Sequence, residues 1–79
     1  MKARVYVTLK SGVLDPQGVA VMGALKSMDF NEVRDVRVGK FMELSIDAKS
    51  REAEEERVRQ MCERLLANTV IENYRIEIE

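Results

Sequence analysis

The chain contains little of what most enzymes use for chemistry. Its 79 residues include no histidine, no tryptophan and a single cysteine, Cys62. One cysteine cannot close a disulfide within the chain, and a zinc site without histidine or further cysteines is disfavoured. Cys62 has no histidine to act as its base and falls on the apolar stripe of a predicted helix, so we interpret it as a core residue. The composition predicts no catalytic residue, no metal site and no cofactor site in this chain.

A strong net charge and long apolar runs are also missing. The chain has 13 basic and 14 acidic residues, a formal net charge of −1. Nucleic-acid-binding proteins usually rely on clustered positive charge, so we expect no nucleic-acid partner. No apolar stretch near the amino terminus is long enough for a signal peptide or a membrane span. We therefore expect no membrane partner and a cytoplasmic location.

What is present is typical of one small folded domain covering residues 1–79. Apolar residues make up 46% of the chain and charged residues 34%, a balance found in globular rather than disordered proteins. A core of this size supplies only about 3–5 kcal/mol, and disulfides, metals or oligomerisation commonly add to it. Because the first two are disfavoured here, the sequence predicts self-association.

Apolar periodicity predicts four strands and two helices. The strands are expected at residues 2–9, 33–39, 42–47 and 74–79, with a tight hairpin turn at Gly39-Lys40 in which the glycine takes a positive φ. One helix is expected to begin at Asp15-Pro16 and to end at Asp29 in the left-handed conformation, and the other to run from a Ser50 cap to Asn68. The order β-α-β-β-α-β predicts an α+β, ferredoxin-like sandwich, a four-stranded antiparallel sheet with both helices on one face.

The predicted helices each carry an apolar stripe that would face the sheet. The stripe residues are Val21, Ala24, Leu25 and Met28 in the first helix, and Val58, Met61, Cys62, Leu65 and Leu66 in the second. The run Glu54-Glu55-Glu56 is interpreted as an acidic first turn that favours the positive end of the helix dipole, since three consecutive helical residues cannot converge on one metal ion.

Two binding interpretations stay open at this point. Gly12 and Gly18 near the first helix start could form an anion pocket or serve as ordinary turn and cap positions. Tyr6 and Phe41 could stack RNA bases on the uncovered sheet face, but the Lys/Arg-Gly-aromatic motif of RNA-recognition sheets is missing. A protein interface, where aromatics are enriched, fits Tyr6 and Phe41 better.

Four runs of residues give the chain a resemblance to a known family, the PurS-type small subunit of phosphoribosylformylglycinamidine synthase. These runs are Asp15-Pro16-Gln17-Gly18 with Ala20-Val21 and Ala24-Leu25; Phe30 and Val33; Val36-Arg37-Val38-Gly39-Lys40; and Leu65-Leu66-Ala67-Asn68 with Val70-Ile71-Glu72-Asn73-Tyr74. They span nearly the whole chain, and the chain length is similar to that of a separate subunit.

The resemblance implies a part in a three-component enzyme. A glutaminase subunit would release ammonia, and a large synthetase subunit, binding ATP and Mg, would use that ammonia to convert formylglycinamide ribonucleotide to formylglycinamidine ribonucleotide. The small subunit would act as a homodimer, with a tetramer left open, that bridges the other two and assists ammonia transfer without chemistry of its own. The alternative is a stand-alone ferredoxin-like module that senses a small ligand.

Under this resemblance, partner contacts are expected from two short segments, and the two aromatic residues above are expected to join them because aromatics are enriched in interfaces. The expected contact residues are Asp15 and Gln17 at the first helix start, Arg37, Gly39 and Lys40 around the predicted hairpin, and Tyr6 and Phe41 on the sheet.

Overall fold

The computed structural model describes residues 1–47 and 49–79, which form three strands and two helices. In chain order these are β1 (Lys2–Leu9), α1 (Pro16–Ser27), β2 (Lys40–Ser45), α2 (Arg51–Met61), which continues as a π-helical turn (Cys62–Leu66), and β3 (Glu72–Ile78). The strands form an antiparallel sheet in the order β2-β1-β3. The predicted α+β class with an antiparallel sheet is confirmed. Within the described residues, neither helix combines the length and the apolar character that crossing a membrane requires.

The core lies between the central strand and α2. Ala3, Val5 and Val7 alternate along β1 and are buried, as the period of two in the sequence predicts. Val58, Cys62 and Ala67 pack against them from the other side. Helix α2 packs on β1 and β3 but makes no extensive contact with β2. It therefore covers only part of one sheet face.

The residues at the helix ends form the caps and the left-handed turn that the sequence predicts. The Asp15 side chain caps α1 by accepting a hydrogen bond from the Gly18 amide at 2.9 Å, and Ser50 caps α2 by accepting one from the Ala53 amide at 3.1 Å. After α1, Asp29 takes a φ of 71°, and the Phe30 amide donates back to the Leu25 carbonyl at 3.0 Å. The predicted caps and the left-handed end of α1 are confirmed.

The predicted second strand and its hairpin do not form in this chain. Residues 33–39 pair with none of the three strands, so the ferredoxin-like sheet has no fourth strand here. Gly39 does not take the positive φ of a tight turn. A Cβ at Gly39 would lie 2.3 Å from the Val7 carbonyl oxygen, so the position needs glycine for close approach to β1. The backbone continues without reversal into Lys40, the first residue of β2.

Helix α1 does not bury its predicted stripe against the sheet. Val21 is 43% exposed and Met28 is 64% exposed, and only Leu25 of the stripe is half-buried. The reason is that α1 projects from the sheet and has no extensive contact with any strand. The placement of both helices on one sheet face is therefore wrong for the single chain.

Two details of α2 also differ from the prediction. Leu65 is exposed because the π-helical turn uses more residues per turn and rotates the apolar stripe, and the helix ends at Leu66 rather than Asn68. Glu54 lies in the first turn of α2, as expected, but it is fully buried, since it stands four residues before Val58 on the face that meets the sheet.

Candidate partner-binding site

The start of α1 and residues 36–38 are joined by one buried carboxylate. Asp15 accepts hydrogen bonds from the Gly18 amide at 2.9 Å and from the Val38 amide at 2.8 Å, one with each oxygen. A Cβ at Gly18 would lie 2.2 Å from the Val36 carbonyl oxygen, so only glycine permits this approach. Two sequence runs that are far apart in the chain thus meet at one point. We call the unit formed by Asp15, Gly18 and residues 36–38 the clasp.

Arg37 holds the clasp to the loop between β1 and α1. Its guanidinium donates to the carbonyl oxygens of Leu9, Lys10 and Val13 at 3.3, 3.2 and 3.4 Å. Its Nε also lies 3.9 Å from an Asp15 carboxylate oxygen. Arg37, predicted as a partner contact, therefore has its hydrogen-bonding capacity directed inside the chain.

The clasp keeps Asp15 ionised. The hydrogen bond from the Val38 amide and that from the Gly18 amide lower the pKa of Asp15 below its ordinary value, and the nearby Arg37 charge lowers it further, against an opposing effect of burial. A carboxylate whose two oxygens both accept backbone hydrogens is a structural group rather than an acid-base group at neutral pH.

The clasp should open in acid. Because the folded-state pKa of Asp15 lies below its ordinary value of 3.8, its stabilising effect is complete above that value and is lost as the pH falls through the lowered pKa. We expect hydrogen exchange at the Gly18 and Val38 amides, corrected for intrinsic rates, to accelerate below about pH 4. Asp15→Asn should remove this pH dependence at both amides. Unchanged protection down to full acid unfolding would contradict the assignment.

An open cavity of about 350 Å³ lies beside the clasp. It is lined by Val7, Leu9, Asp15, Pro16, Gln17, Val38, Gly39, Lys40 and Glu72. The Lys40 ammonium lies 3.6 Å from a Glu72 carboxylate oxygen, and the other Glu72 oxygen accepts the Asn68 amide hydrogen at 2.7 Å. Four predicted contact residues, Asp15, Gln17, Gly39 and Lys40, are brought together here. Glu72 was missed as a lining residue because nothing in its local sequence indicates that it faces Lys40.

The other two predicted contact residues lie on the uncovered sheet face. Tyr6 and Phe41 are paired across β1 and β2, with ring centroids 5.0 Å apart. The Arg75 guanidinium lies 4.1 Å above the Tyr6 ring, and the Tyr6 hydroxyl donates to Glu77 at 2.8 Å. Phe41 is 54% exposed, so it is available to a partner in a way that Tyr6 is not.

Positive charge on this face is matched by carboxylates. Basic side chains pair with acidic ones at Lys2–Glu43 (3.7 Å), Arg4–Glu79 (3.1 Å) and Arg75–Glu77 (2.6 Å). A neutralised surface with one exposed aromatic ring suits a protein contact better than a phosphate backbone.

Neither surface contains a group prepared for catalysis. The pKa of the Cys62 thiol is raised, mainly by burial and further by Glu63, so the thiol stays protonated at neutral pH. Across residues 1–47 and 49–79, no cluster of three or more acidic or cysteine side chains could hold a metal ion. The geometry can bind and position a partner.

Comparison with known proteins gives one consistent family. Residues 2–79 match the family model for PurS, described as phosphoribosylformylglycinamidine (FGAM) synthase. The chain is 60% identical to phosphoribosylformylglycinamidine synthase subunit PurS of Bacillus subtilis, over 99% of this chain and 92% of that subunit.

Solved structures of similar proteins share the fold. PurS of Methanocaldococcus jannaschii, one of the subunits of formylglycinamide ribonucleotide amidotransferase in the purine biosynthetic pathway, superposes with a TM-score of 0.88 at 41% identity, covering 99% of this chain and 94% of that one. A chain of PurLQS from Thermotoga maritima superposes with a TM-score of 0.89 at 33% identity, covering 96% of this chain and 93% of that one.

Proposed function

The chain belongs to the PurS family of phosphoribosylformylglycinamidine synthase subunits, and on that premise we propose that it bridges the glutaminase and large synthetase subunits and assists ammonia transfer between them. As a family member it is a small, non-catalytic subunit of a synthase of purine biosynthesis. The likeness to a chain of PurLQS supports its association with the other components. The enzyme would work in the cytoplasm, and ATP and Mg would bind to the large subunit.

The proposal of a bridging role rests on one observation, the clasp with the cavity beside it. The clasp residues Asp15 and Arg37 are engaged within the chain and so fix the shape of the site. Lys40, whose side chain is 59% exposed, and Phe41 at 54% present the contact groups on opposite faces of β2. A subunit that aligns two active sites needs a fixed shape more than it needs a reactive group, because alignment limits the loss of ammonia to water.

Replacing Lys40 and Phe41 together with alanine tests this role. In a complex reconstituted with the glutaminase and synthetase subunits, we expect the concentration of this subunit needed for half-maximal glutamine-driven turnover to rise at least tenfold, as for loss of an aromatic anchor and a charge. Turnover with added ammonia should not change, since ammonia bypasses the bridge. The matched control is Lys49→Ala, an exposed charge in another part of the chain.

A second measurement separates the loss of a partner contact from a loss of folding. The isolated double variant should keep the wild-type circular dichroism spectrum, since both side chains are more than half exposed. Half-maximal turnover at the wild-type concentration would contradict the bridging role of these residues.

We also propose that the subunit works as a homodimer, with a tetramer as a measurable alternative outcome. The Cα radius of gyration is 15.9 Å, whereas a compact chain of this length would have about 12 Å. A chain this extended has a small core, and that core needs another protein surface to cover it. The ferredoxin-like arrangement with its fourth strand would then be completed in the assembled protein.

A further inference from the structure

The uncovered sheet face carries one complete group of an aromatic ring, an arginine and a carboxylate. The Arg75 guanidinium lies 4.1 Å above the Tyr6 ring, and its Nη1 atom donates to a Glu77 carboxylate oxygen at 2.6 Å. The other Glu77 oxygen accepts the Tyr6 hydroxyl hydrogen at 2.8 Å. A guanidinium suits this position because it is flat, stacks on an aromatic face and directs N–H groups to a carboxylate at the same time. This group occupies the β1 and β3 side of the face.

The β2 side of the same face carries a ring and a carboxylate without the arginine. Phe41 and Glu43 are two positions apart in β2, so they project from one face about 7 Å from each other. They pair with Tyr6 and Arg4 of β1, which places both on the uncovered side. The Phe41 ring meets Tyr6 on one side and is 54% exposed. Among the described residues β2 is an edge of the sheet, so the other side of the ring is open.

The Glu43 carboxylate is held only loosely within the chain. One of its oxygens lies 3.7 Å from the Lys2 ammonium and 3.9 Å from Arg4 Nε, and both distances are longer than a hydrogen bond. Arg4 instead donates from Nη2 to Glu79 at 3.1 Å. The Glu43 side chain is 48% exposed. Its oxygens are therefore open to a donor from outside the chain.

The charges of this face indicate that the donor comes from a different protein. A second copy placed face to face would bring the same basic groups, and its Arg4 and Arg75 would already donate to carboxylates of their own chain. The three basic side chains of the face are balanced by three acidic ones, so one additional cation would not be repelled. The balanced groups are Lys2, Arg4 and Arg75 with Glu43, Glu77 and Glu79.

We propose that Phe41 and Glu43 bind one arginine side chain of a partner subunit, with the guanidinium stacked on the open side of the ring and its N–H groups donated to the carboxylate. This inference rests on the proposed bridging function and names the chemistry of one of its contacts. Lysine fits less well, because its ammonium is a strongly hydrated point charge that cannot stack. An apolar partner group would cover the Glu43 carboxylate without offering it a donor, which costs free energy.

Phe41→Leu and Glu43→Gln test the two halves of this site in the complex reconstituted with the glutaminase and synthetase subunits. Each should raise the concentration of this subunit needed for half-maximal glutamine-driven turnover about tenfold, since one loses the ring and the other the charge that holds the arginine. The double variant should stay well below the roughly hundredfold rise of two independent contacts, because both residues hold the same side chain. Glu55→Gln, at an exposed carboxylate of α2, is the matched control.

A third substitution separates stacking from apolar contact. Phe41→Tyr keeps the aromatic face and should match the wild-type chain, whereas Phe41→Leu keeps only an apolar side chain. The isolated variants should keep the wild-type circular dichroism spectrum, because the Phe41 and Glu43 side chains are about half exposed. A change in turnover then reports on the contact with the partner.

Chemical modification identifies the partner group directly. Phenylglyoxal reacts with guanidinium groups, and peptide mass spectrometry locates the modified arginines in the assembled complex. One arginine of the glutaminase or synthetase subunit should be protected in the complex with the wild-type chain. The same arginine should react in the complex saturated with the Phe41→Leu, Glu43→Gln double variant, and it should stay protected with Glu55→Gln.

The results separate the arginine site from the bridging function. Phe41→Leu acting at the wild-type concentration, or the absence of any partner arginine whose protection depends on Phe41 and Glu43, would overturn the site while leaving the bridge in place. Protection of an arginine of this chain alone would assign the contact to a second copy and would also overturn the site. A wild-type chain that does not stimulate glutamine-driven turnover would overturn both.

Discussion

Replacing Gly39 with alanine is expected to lower the free energy of unfolding by about 3 kcal/mol. The added Cβ would lie 2.3 Å from the Val7 carbonyl oxygen and 2.9 Å from the Thr8 Cγ2 atom. Val7 belongs to the central strand, whose backbone is held by pairing on both sides, so it cannot move away cheaply. The glycine is needed for space, since its φ is not in the left-handed region.

Gly23→Ala is the matched control for this substitution. A Cβ at Gly23 in α1 meets nothing within 4 Å, and alanine is the better helix former by about 1 kcal/mol. Urea unfolding at one fixed protein concentration measures both variants, because association contributes to apparent stability. If Gly39→Ala proved as stable as Gly23→Ala, the contact with β1 would have to relax more easily than the sheet pairing indicates.

Replacing Glu54 with methionine is expected to raise the free energy of unfolding by about 2 kcal/mol. Glu54 is fully buried, and neither carboxyl oxygen has a hydrogen-bond partner among the described residues. A polar group taken out of water without a partner costs stability, and methionine fills a similar volume without that cost.

Two further variants test whether the buried carboxyl group is the cause of this stability change. Glu55→Met, at an exposed position of the same helix, should change stability by less than about 0.5 kcal/mol. Glu54→Gln keeps the shape and a buried polar group, so its gain should be smaller than that of methionine. A loss of stability with Glu54→Met in the urea experiment would show that the carboxyl group makes a contact of its own in solution.

Features set by neighbouring residues could be predicted from the sequence. The alternation of β1, the Asp15 and Ser50 caps and the left-handed Asp29 each depend on a few adjacent residues. The conformation of residues 33–39 could not be predicted in this way. A two-residue turn and a straight continuation suit the same sequence, and the choice depends on Val7, which is more than 30 positions away.

The candidate site was likewise predictable from the sequence only in part. Resemblance identified Asp15, Gln17, Gly39 and Lys40, which do meet around one cavity, but it could not tell contact residues from structural ones. Arg37 looks like an outward strand residue, yet its acceptors are carbonyl groups 24 to 28 positions earlier in the chain. Glu54 is similar: three consecutive glutamates do not indicate which of them the helix turns toward the sheet.

The clasp also has a consequence for synthesis on the ribosome. Its bonds join Leu9 to Arg37 and Asp15 to Val38, so every group that it needs has been made before β2 begins. Strand β3, which pairs along most of β1, is made last. We expect nascent chains to close the clasp first, to pair β1 with β2 next, and to complete the sheet only once β3 has been made.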